Sequence, residues 1–374
     1  MNDVLTVATK FLSRGEILAL QAYGSGNVND TFLVMVAQEQ PPPPRKAAAE
    51  SNFILQRLNT EVFRQPELVM GNLSTVTGHV RRRLERQPLP NGRRFELPRV
   101  LHTPDGCDHV VDTAGAFWRA LSFIDRTETF DIIKDQDHGR EVGHALGLFH
   151  HLLADLPAHR LADTLPGFHL MPGYLRHYDE VLAAKPAPPS PEVNFCLKFV
   201  EERRAWAGLL EDAKKQEKLR ERVIHGDPKV NNVMLDTTTG QAVALVDLDT
   251  VKPGLVHYDI GDCLRSCCNP LGEETEAAEE VSFEPDLAYA ILAGYLPRAR
   301  NFLTASDYEY LYDSIRVLAF ELGLRFFTDY LAGNVYFKAQ HPEHNLARAL
   351  VQFKLAASIE AQAGAIRAII RELA

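Results

Sequence analysis

The sequence predicts an α+β fold of two lobes, a small antiparallel-sheet lobe followed by a larger, mainly helical one. Three observations lead there. At 374 residues the chain is longer than one hydrophobic core usually organises. Up to about Ile124 it consists of short apolar runs separated by Gly, Asn, Asp and Pro, the punctuation of strands and tight turns. Beyond Ile124 apolar residues recur at helical spacing, as in Val142, Leu146, Phe149 and Leu153. These patterns set the domains at 1–124, a sheet carrying one helix, and 125–374, a helical lobe.

Within the first lobe, "ALQAYGSGNVNDTFLVMVA" holds two apolar runs around a Gly/Asn turn, and "SNFILQRLN" supplies a third strand. Between them "QEQPPPPRKAAAE" reads as a solvent loop with polyproline character. A helix is expected from about Glu67 to Arg86. It is followed by the strand-like runs "RFELPRVLHT" and "HVVDTAGAFWRALSFI", joined by the turn residues "PDG". In the second lobe the one departure from helix is "RVIHGDPKVNNVMLDTTTGQAVALVDLDT", where two strands flank the turn "TTTG". No internal repeat is visible.

Composition narrows the partners. A net charge of −10 disfavours nucleic acid and anionic membrane surfaces, both of which call for a basic face. A small molecule is the expected partner, and no obligatory protein partner is inferred. No run approaches the roughly 20 apolar residues that cross a bilayer, and the first residues lack the pattern of a cleaved leader, so a cytoplasmic location is expected. The five cysteines, Cys107, Cys196, Cys263, Cys267 and Cys268, lack paired CxxC spacing and read as reduced thiols.

The chemistry concentrates in residues 223–250. A hairpin of that length brings Asn232, at the start of one strand, back beside Asp247 at the end of the other, with Asp227 one tight loop away. Two oxygen ligands from opposite strands suit magnesium, which takes few protein ligands and completes its shell with water and phosphate. A third carboxylate is then available to orient a hydroxyl and take its proton. Phosphoryl transfer needs this division of labour, because its catalysis is mostly positioning and charge neutralisation.

"HGDPKVNN" resembles the HxDxxxxN catalytic loop of the aminoglycoside phosphotransferase, choline kinase and protein-kinase-like enzymes, and "VDLD" resembles their metal-binding DFG segment. The resemblance implies a bilobal protein-kinase-like fold, ATP and Mg2+ as cosubstrate and cofactor, Asp227 as catalytic base, and Asn232 and Asp247 as metal ligands. Within that superfamily the chain is similar to the N-acetylhexosamine 1-kinases. "YGSGNVNDTFLV", "FILQRLNTEVF", "WRALSFID", "VDLDTVKPG", "YDIGDCLR" and "GLRFFTDYLAGNVYF" have equivalents there in the same order.

Other positions are weighed against plainer alternatives. Gly24, Ser25 and Gly26 form either a phosphate-covering loop or a simple hairpin turn; small residues there let backbone N–H groups approach anionic oxygens. Asn27 stands where related hexosamine kinases have a sugar-binding histidine, which leaves the acceptor open. "FILQR" lies where kinase-like enzymes place a strand-three lysine, and Gln56 and Arg57 are alternative occupants of its role because a strand alternates its faces. Glu67 is read either as the helix glutamate that would pair with such a lysine or as a solvated first-turn carboxylate. Phe123 and Ile124, at the end of "WRALSFID", offer backbone groups for an adenine edge.

Asp259, Asp262 and Arg265 are read as a salt-bridge cluster, and Asp249 as pointing along the strand with Asp247 toward metal or water. Glu321, Arg325 and Asp329 recur every four residues and fit ordinary helical ion pairing, but the resemblance implies that Arg325 and Tyr336 contact sugar. His144, His150 and His151 show no metal-ligand spacing.

The expected activity is ATP- and Mg2+-dependent phosphorylation of the anomeric hydroxyl of an N-acetylhexosamine, with Asn27, Asp227, Arg325 and Tyr336 holding the amino sugar. Two rivals remain. One is a kinase of another hydroxyl compound, such as another sugar, a choline-like amino alcohol or an aminoglycoside; the other is a nucleotide-binding protein without catalysis.

Overall fold

The computed structural model describes residues 2–24, 28–37, 52–185 and 187–374. The connector at 38–50 and the loop residues Ser25, Gly26 and Asn27 lie outside them. Helix α1 (Asn2–Lys10), which the sequence reading did not anticipate, precedes strands β1 (Ile17–Ala22), β2 (Asp30–Val36) and β3 (Asn52–Leu58). Helix α2 (Pro66–Arg86) follows, then β4 (Val100–Leu101), β5 (Val110–Val111) and β6 (Phe117–Ser122). These strands form one antiparallel sheet in the order β1-β2-β3-β6-β4, with β5 also on β6.

Alternation along these strands divides the sheet's contents. Phe53 and Leu55 of β3 and Trp118 and Ala120 of β6 turn to one face, where Val7, Ala8 and Phe11 of α1 cover them. Ile54, Gln56, Arg119 and Leu121 alternate with them and turn to the other face, toward α2 and the rest of the molecule. Helix α2 has Pro66 in its first turn, where a missing N–H costs nothing, and buries Val69, Met70, Leu73, Val76 and Val80 along one stripe.

The remainder contains β7 (Thr127–Glu128), α3 (Gln136–Leu153), α4 (Met171–Ala184), α5 (Pro191–Arg203) and α6 (Leu209–Lys215). Next come β8 (Arg222–Ile224), β9 (Val233–Asp236), β10 (Ala242–Leu245), β11 (Lys252–Gly254) and α7 (Val256–Cys267). The chain ends through α8 (Pro285–Ala299), α9 (Ala305–Glu309), α10 (Leu311–Ala332), α11 (His344–Ala361) and α12 (Ala363–Leu373). Two small sheets, β10-β9-β7 and β11-β8, lie against the helices. Helices α3 and α8 cross closely at Gly143 and Gly294, where an added Cβ would come within 2.0 Å of a backbone oxygen of the facing helix. Helix α10 is apolar on nearly every side and is buried accordingly, with Ile315, Phe320, Leu324 and Phe327 inaccessible.

The molecule is therefore α+β, an antiparallel sheet with one long helix joined to a helical body. Between α2 and β4, the Glu96 N–H donates to the Val243 carbonyl at 2.9 Å, one of the ties to that body. No helix among the described residues is long and apolar enough to cross a membrane.

Candidate active site

The loop after β8 is held by its backbone before any side chain acts. Gly226 has φ +89°, and a Cβ there would meet the Thr250 carbonyl at 2.7 Å, so only glycine fits. Asp259, in the first turn of α7, accepts the N–H of His225 at 2.7 Å and of Gly226 at 2.8 Å. The same carboxylate accepts from His150 Nε2 at 2.8 Å, and Tyr295 pairs with the other ring nitrogen at 2.9 Å. Burial works to raise the Asp259 carboxyl, but His150 and His225 outweigh it and hold it below the usual range. Asp259 thus anchors the loop instead of joining the expected salt-bridge cluster. Only Asp262 and Arg265 pair, at 2.8 Å.

His225 is neutral by burial and donates to the Val246 carbonyl at 2.9 Å, tying this loop to the end of β10. Asp227 follows, about a third exposed, with Lys229 Nζ 2.9 Å from its Oδ2. Burial pushes its carboxyl up, yet Lys229 and then His225 and Arg265 more than offset this, so Asp227 stays ionised below the usual carboxylate range. Asn232 donates its amide nitrogen to the Asp227 carbonyl at 2.7 Å, which turns Oδ1 the other way.

The hairpin pairs as expected: Leu245 lies opposite Val233, and the Val246 N–H reaches the Asn232 carbonyl at 2.9 Å. The strand then ends sooner than the sequence suggested. Asp247 adopts a left-handed conformation (φ 60°, ψ 57°) and Leu248–Thr250 is a 3-10 turn, so Asp247 and Asp249 do not share a strand face. Water reaches Asp247, but its depth in the molecule, then the charges of Asp249 and Asp227, push its carboxyl up to about 7. Among the described residues no three His, Cys, Asp or Glu side chains converge into a metal cage. The donor set of Asn232 and Asp247 still fits a hard cation that keeps water and phosphate oxygens in its shell, and the crowded carboxylates mark a spot that positive charge would relieve.

Facing this loop, the inner side of the first sheet carries a polar row. Thr31, Gln56 and Arg119 lie in register on β2, β3 and β6. Gln56 donates to Thr31 Oγ1 at 3.1 Å and accepts from Arg119 Nε and Nη2 at 3.0 and 2.7 Å. Arg119 Nη1 is 2.6 Å from Asp249 Oδ1, and Asn29 Nδ2 donates to Asp249 Oδ2 at 2.7 Å. Arg57 turns to the opposite face, where it pairs with the exposed Asp30 and lies over Trp118. Glu67 is exposed and takes no part in this row. Gly24 has φ +77°, in the left-handed region. Phe123 meets Tyr23 edge-on at 6.1 Å, while Ile124 is buried with Met234, Ala244 and Val246.

A second region lies between α4, α10 and residues 335–337. A cavity of about 380 Å³ is lined by Tyr174, His177, Arg325, Thr328, Asp329, Tyr336 and Phe337, among others. The expected ion pairing along α10 is absent from it. Arg325 instead faces three aromatic rings, Tyr174, Phe168 and Phe337, at 5.1–5.4 Å. Asp329 accepts the N–H groups of Val335, Tyr336 and Phe337 at 2.8–3.0 Å. Glu321 holds His169 Nδ1 at 2.9 Å, and His169 Nε2 donates to the Gly226 carbonyl at 2.8 Å. One buried imidazole therefore links the cavity helix to the residue before Asp227. Burial opposes its protonation, but the Glu321 charge prevails and raises its pKa. Tyr336 stands at the cavity rim, largely exposed.

Four contributors escaped the sequence reading: Lys229, His169, Arg119 and the anchoring role of Asp259. Lys229 was legible as a cation two residues beyond Asp227. Asp259, Arg119 and His169 act through partners far away in sequence and gave no local signal.

A family model described as the phosphotransferase enzyme family matches residues 20–300, and the chain belongs to that family. Its fold is protein-kinase-like, as three solved structures illustrate. A microcompartment-associated aminopropanol kinase is 16% identical over 93% of each chain, with a TM-score of 0.60. An aminoglycoside phosphotransferase from Alicyclobacillus acidocaldarius is 15% identical, covers 98% of this chain and 94% of that one, and gives a TM-score of 0.59. An amicoumacin kinase in complex with AMP-PNP and Ca2+ is 14% identical, covers 95% and 92%, and gives 0.54.

Proposed function

We propose that this member of the phosphotransferase enzyme family transfers the γ-phosphoryl group of ATP to the anomeric hydroxyl of an N-acetylhexosamine. Residues 1–124 supply most of the nucleotide side, with Gly24, Ser25, Gly26 and Gln56 near the phosphates and Phe123 and Ile124 at the base. Residues 125–374 supply the catalytic loop and the acceptor pocket.

Asp227 orients the acceptor hydroxyl and takes its proton as the new oxygen–phosphorus bond forms and the bond to the β-phosphate oxygen breaks, releasing ADP. Lys229, beside that carboxylate, keeps it ionised at neutral pH and offers positive charge where the transferred group passes. Asn232 and Asp247 hold magnesium, which when bound neutralises phosphate charge. The amicoumacin kinase complex with AMP-PNP and Ca2+ accords with a nucleotide and a divalent cation on this fold.

One observation carries the choice of acceptor: the cavity holds a cation, Arg325, and its one carboxylate, Asp329, is spent on three backbone N–H groups. Such a lining repels a choline-like or aminoglycoside cation and suits a neutral sugar. Arg325 can give two oriented hydrogen bonds to ring oxygens or an acetamido carbonyl, and Tyr336 a flat face and a hydroxyl at the rim. Asn27 completes the sugar side by the same resemblance.

The test is incubation with ATP, Mg2+ and a panel of N-acetylhexosamines, with choline and an aminoglycoside alongside. A sugar 1-phosphate is the expected product. Phosphorylated choline or aminoglycoside with no sugar phosphate would overturn the acceptor assignment, and ADP-free mixtures throughout would overturn catalysis.

A further inference from the structure

The inner sheet face raises a question of charge. Where kinase-like enzymes carry a strand-three lysine gripped by a helix glutamate, this chain has Gln56, and its candidate helix glutamate, Glu67, is exposed. A cation is nevertheless present, one strand further along. Arg119 is among the largest fully buried side chains of the protein, and burying a guanidinium is costly without partners. It has two. Gln56, directly opposite in the β3–β6 register, accepts from Nε and Nη2, and the Asp249 carboxylate forms an ion pair with it, Oδ1 lying 2.6 Å from Nη1.

Asp249 is itself buried, and it follows Asp247 by two residues in the tight turn that ends β10. The left-handed backbone at Asp247 is strained for a residue with a Cβ and persists only where its surroundings over-determine it. Asp249 provides that constraint from the next turn. Its side chain is fixed from β6 by Arg119 and from the β1–β2 turn by Asn29, and Asn29 is fixed in turn by the Asn59 N–H at 3.0 Å. Its carbonyl accepts from Thr164 at 3.3 Å. Two elements of the first sheet, one of them braced by Asn59, thus converge on the residue that sets where Asp247 points.

We infer that Arg119 and Asp249 do together what the lysine–glutamate pair does elsewhere: Arg119 is a positioning residue that holds the metal-binding turn through Asp249. The inference rests on the phosphotransferase site proposed above. Arg119 acts on the cation site through Asp249 and the turn, and its loss leaves Asn232, Asp227 and the acceptor cavity untouched.

Calorimetric binding of AMP-PNP, with Mg2+ and with EDTA, separates this role from simple packing. In Arg119→Met, Mg2+-dependent binding weakens roughly 10–100-fold, the range for losing a partner that orients a metal ligand, and binding in EDTA is unchanged. Because that variant leaves Asp249 unpaired and can unfold, the neutral double variant Arg119→Met/Asp249→Asn is the decisive one. It recovers the ligand-free melting temperature and remains weak with Mg2+. The double variant Gln56→Lys/Arg119→Met, which returns the cation to strand three, regains part of the Mg2+-dependent affinity. Wild-type Mg2+ dependence in Arg119→Met/Asp249→Asn, or no gain at all from Gln56→Lys, overturns the inference. Absence of Mg2+-dependent binding in the unaltered protein would instead bring down the site on which it rests.

Discussion

The loop around Asp227 and the cavity around Arg325 both gather charged side chains, but they balance them by different means. Around Asp227 three carboxylates each have an opposite charge beside them: Lys229 faces Asp227, Arg119 faces Asp249, and Arg265 faces Asp262, while Asp247 is crowded by Asp249 and Asp227. In the cavity Arg325 faces aromatic rings, and the Asp329 carboxylate is met by backbone N–H groups. Ion pairs of the first kind can exchange partners when highly charged phosphates and a cation arrive. The second arrangement leaves a fixed, directional donor with no counter-ion to displace, which favours a neutral guest.

Four perturbations test this contrast, beginning with the most severe. Asp227→Asn removes the base while keeping the shape, and turnover is expected to fall by roughly 10²–10⁴ with AMP-PNP affinity retained. Near-normal turnover would remove Asp227 from its role. Arg325→Met, at the other pole, forfeits charged hydrogen bonds worth about 1.5–3 kcal/mol, so kcat/KM for the sugar drops roughly tenfold to a hundredfold. The KM for ATP should stay put; a rise there in place of the sugar effect would merge the two regions that the comparison separates.

Acidification comes third. Asp247 keeps its proton in the folded, metal-free protein up to about 7, whereas an unfolded aspartate releases it near 4. Between those values the folded state binds more protons, so the metal-free protein loses stability from this group as pH rises through the window. Added Mg2+ has to displace the same proton, and below about pH 7 each unit of acidification weakens Mg2+-dependent AMP-PNP binding by up to about tenfold. A titration flat from pH 5 to 8 would exclude Asp247 from the cation site. The smallest effect belongs to Tyr336→Phe, which costs about 1 kcal/mol of sugar affinity if the rim hydroxyl is used, read as a several-fold change in KM. No change would leave the sugar to Arg325 alone.

Legibility in the sequence followed the same division. Asp227, Asn232 and Asp247 stood out because a hairpin brings them together whatever the rest of the molecule does, and the α+β order followed from the change in apolar period near Ile124. Arg119 was hidden inside "WRALSFID", since a strand sequence does not reveal which distant carboxylate its inward residue will meet. Asp259 was grouped with Asp262 by helical spacing, but two backbone N–H groups and His150 claimed it. Arg325 and Tyr336 were singled out by resemblance alone; Glu321 and Asp329, which suggested an ion-pair ladder with Arg325, turned to His169 and to backbone. Helix α1 is short and was passed over, although it covers one face of the sheet.

The three N–H groups gathered by Asp329 have a practical corollary. Because they belong to the main chain, the turn does not depend on the side chains of the exposed Val335 and Tyr336, whereas Phe337 packs against Phe326 and Arg325. A library randomised at 335 and 336 without proline, with Asp329 and Phe337 kept, should retain its architecture while varying the chemistry presented to the guest, making these two codons the natural place to retune acceptor preference.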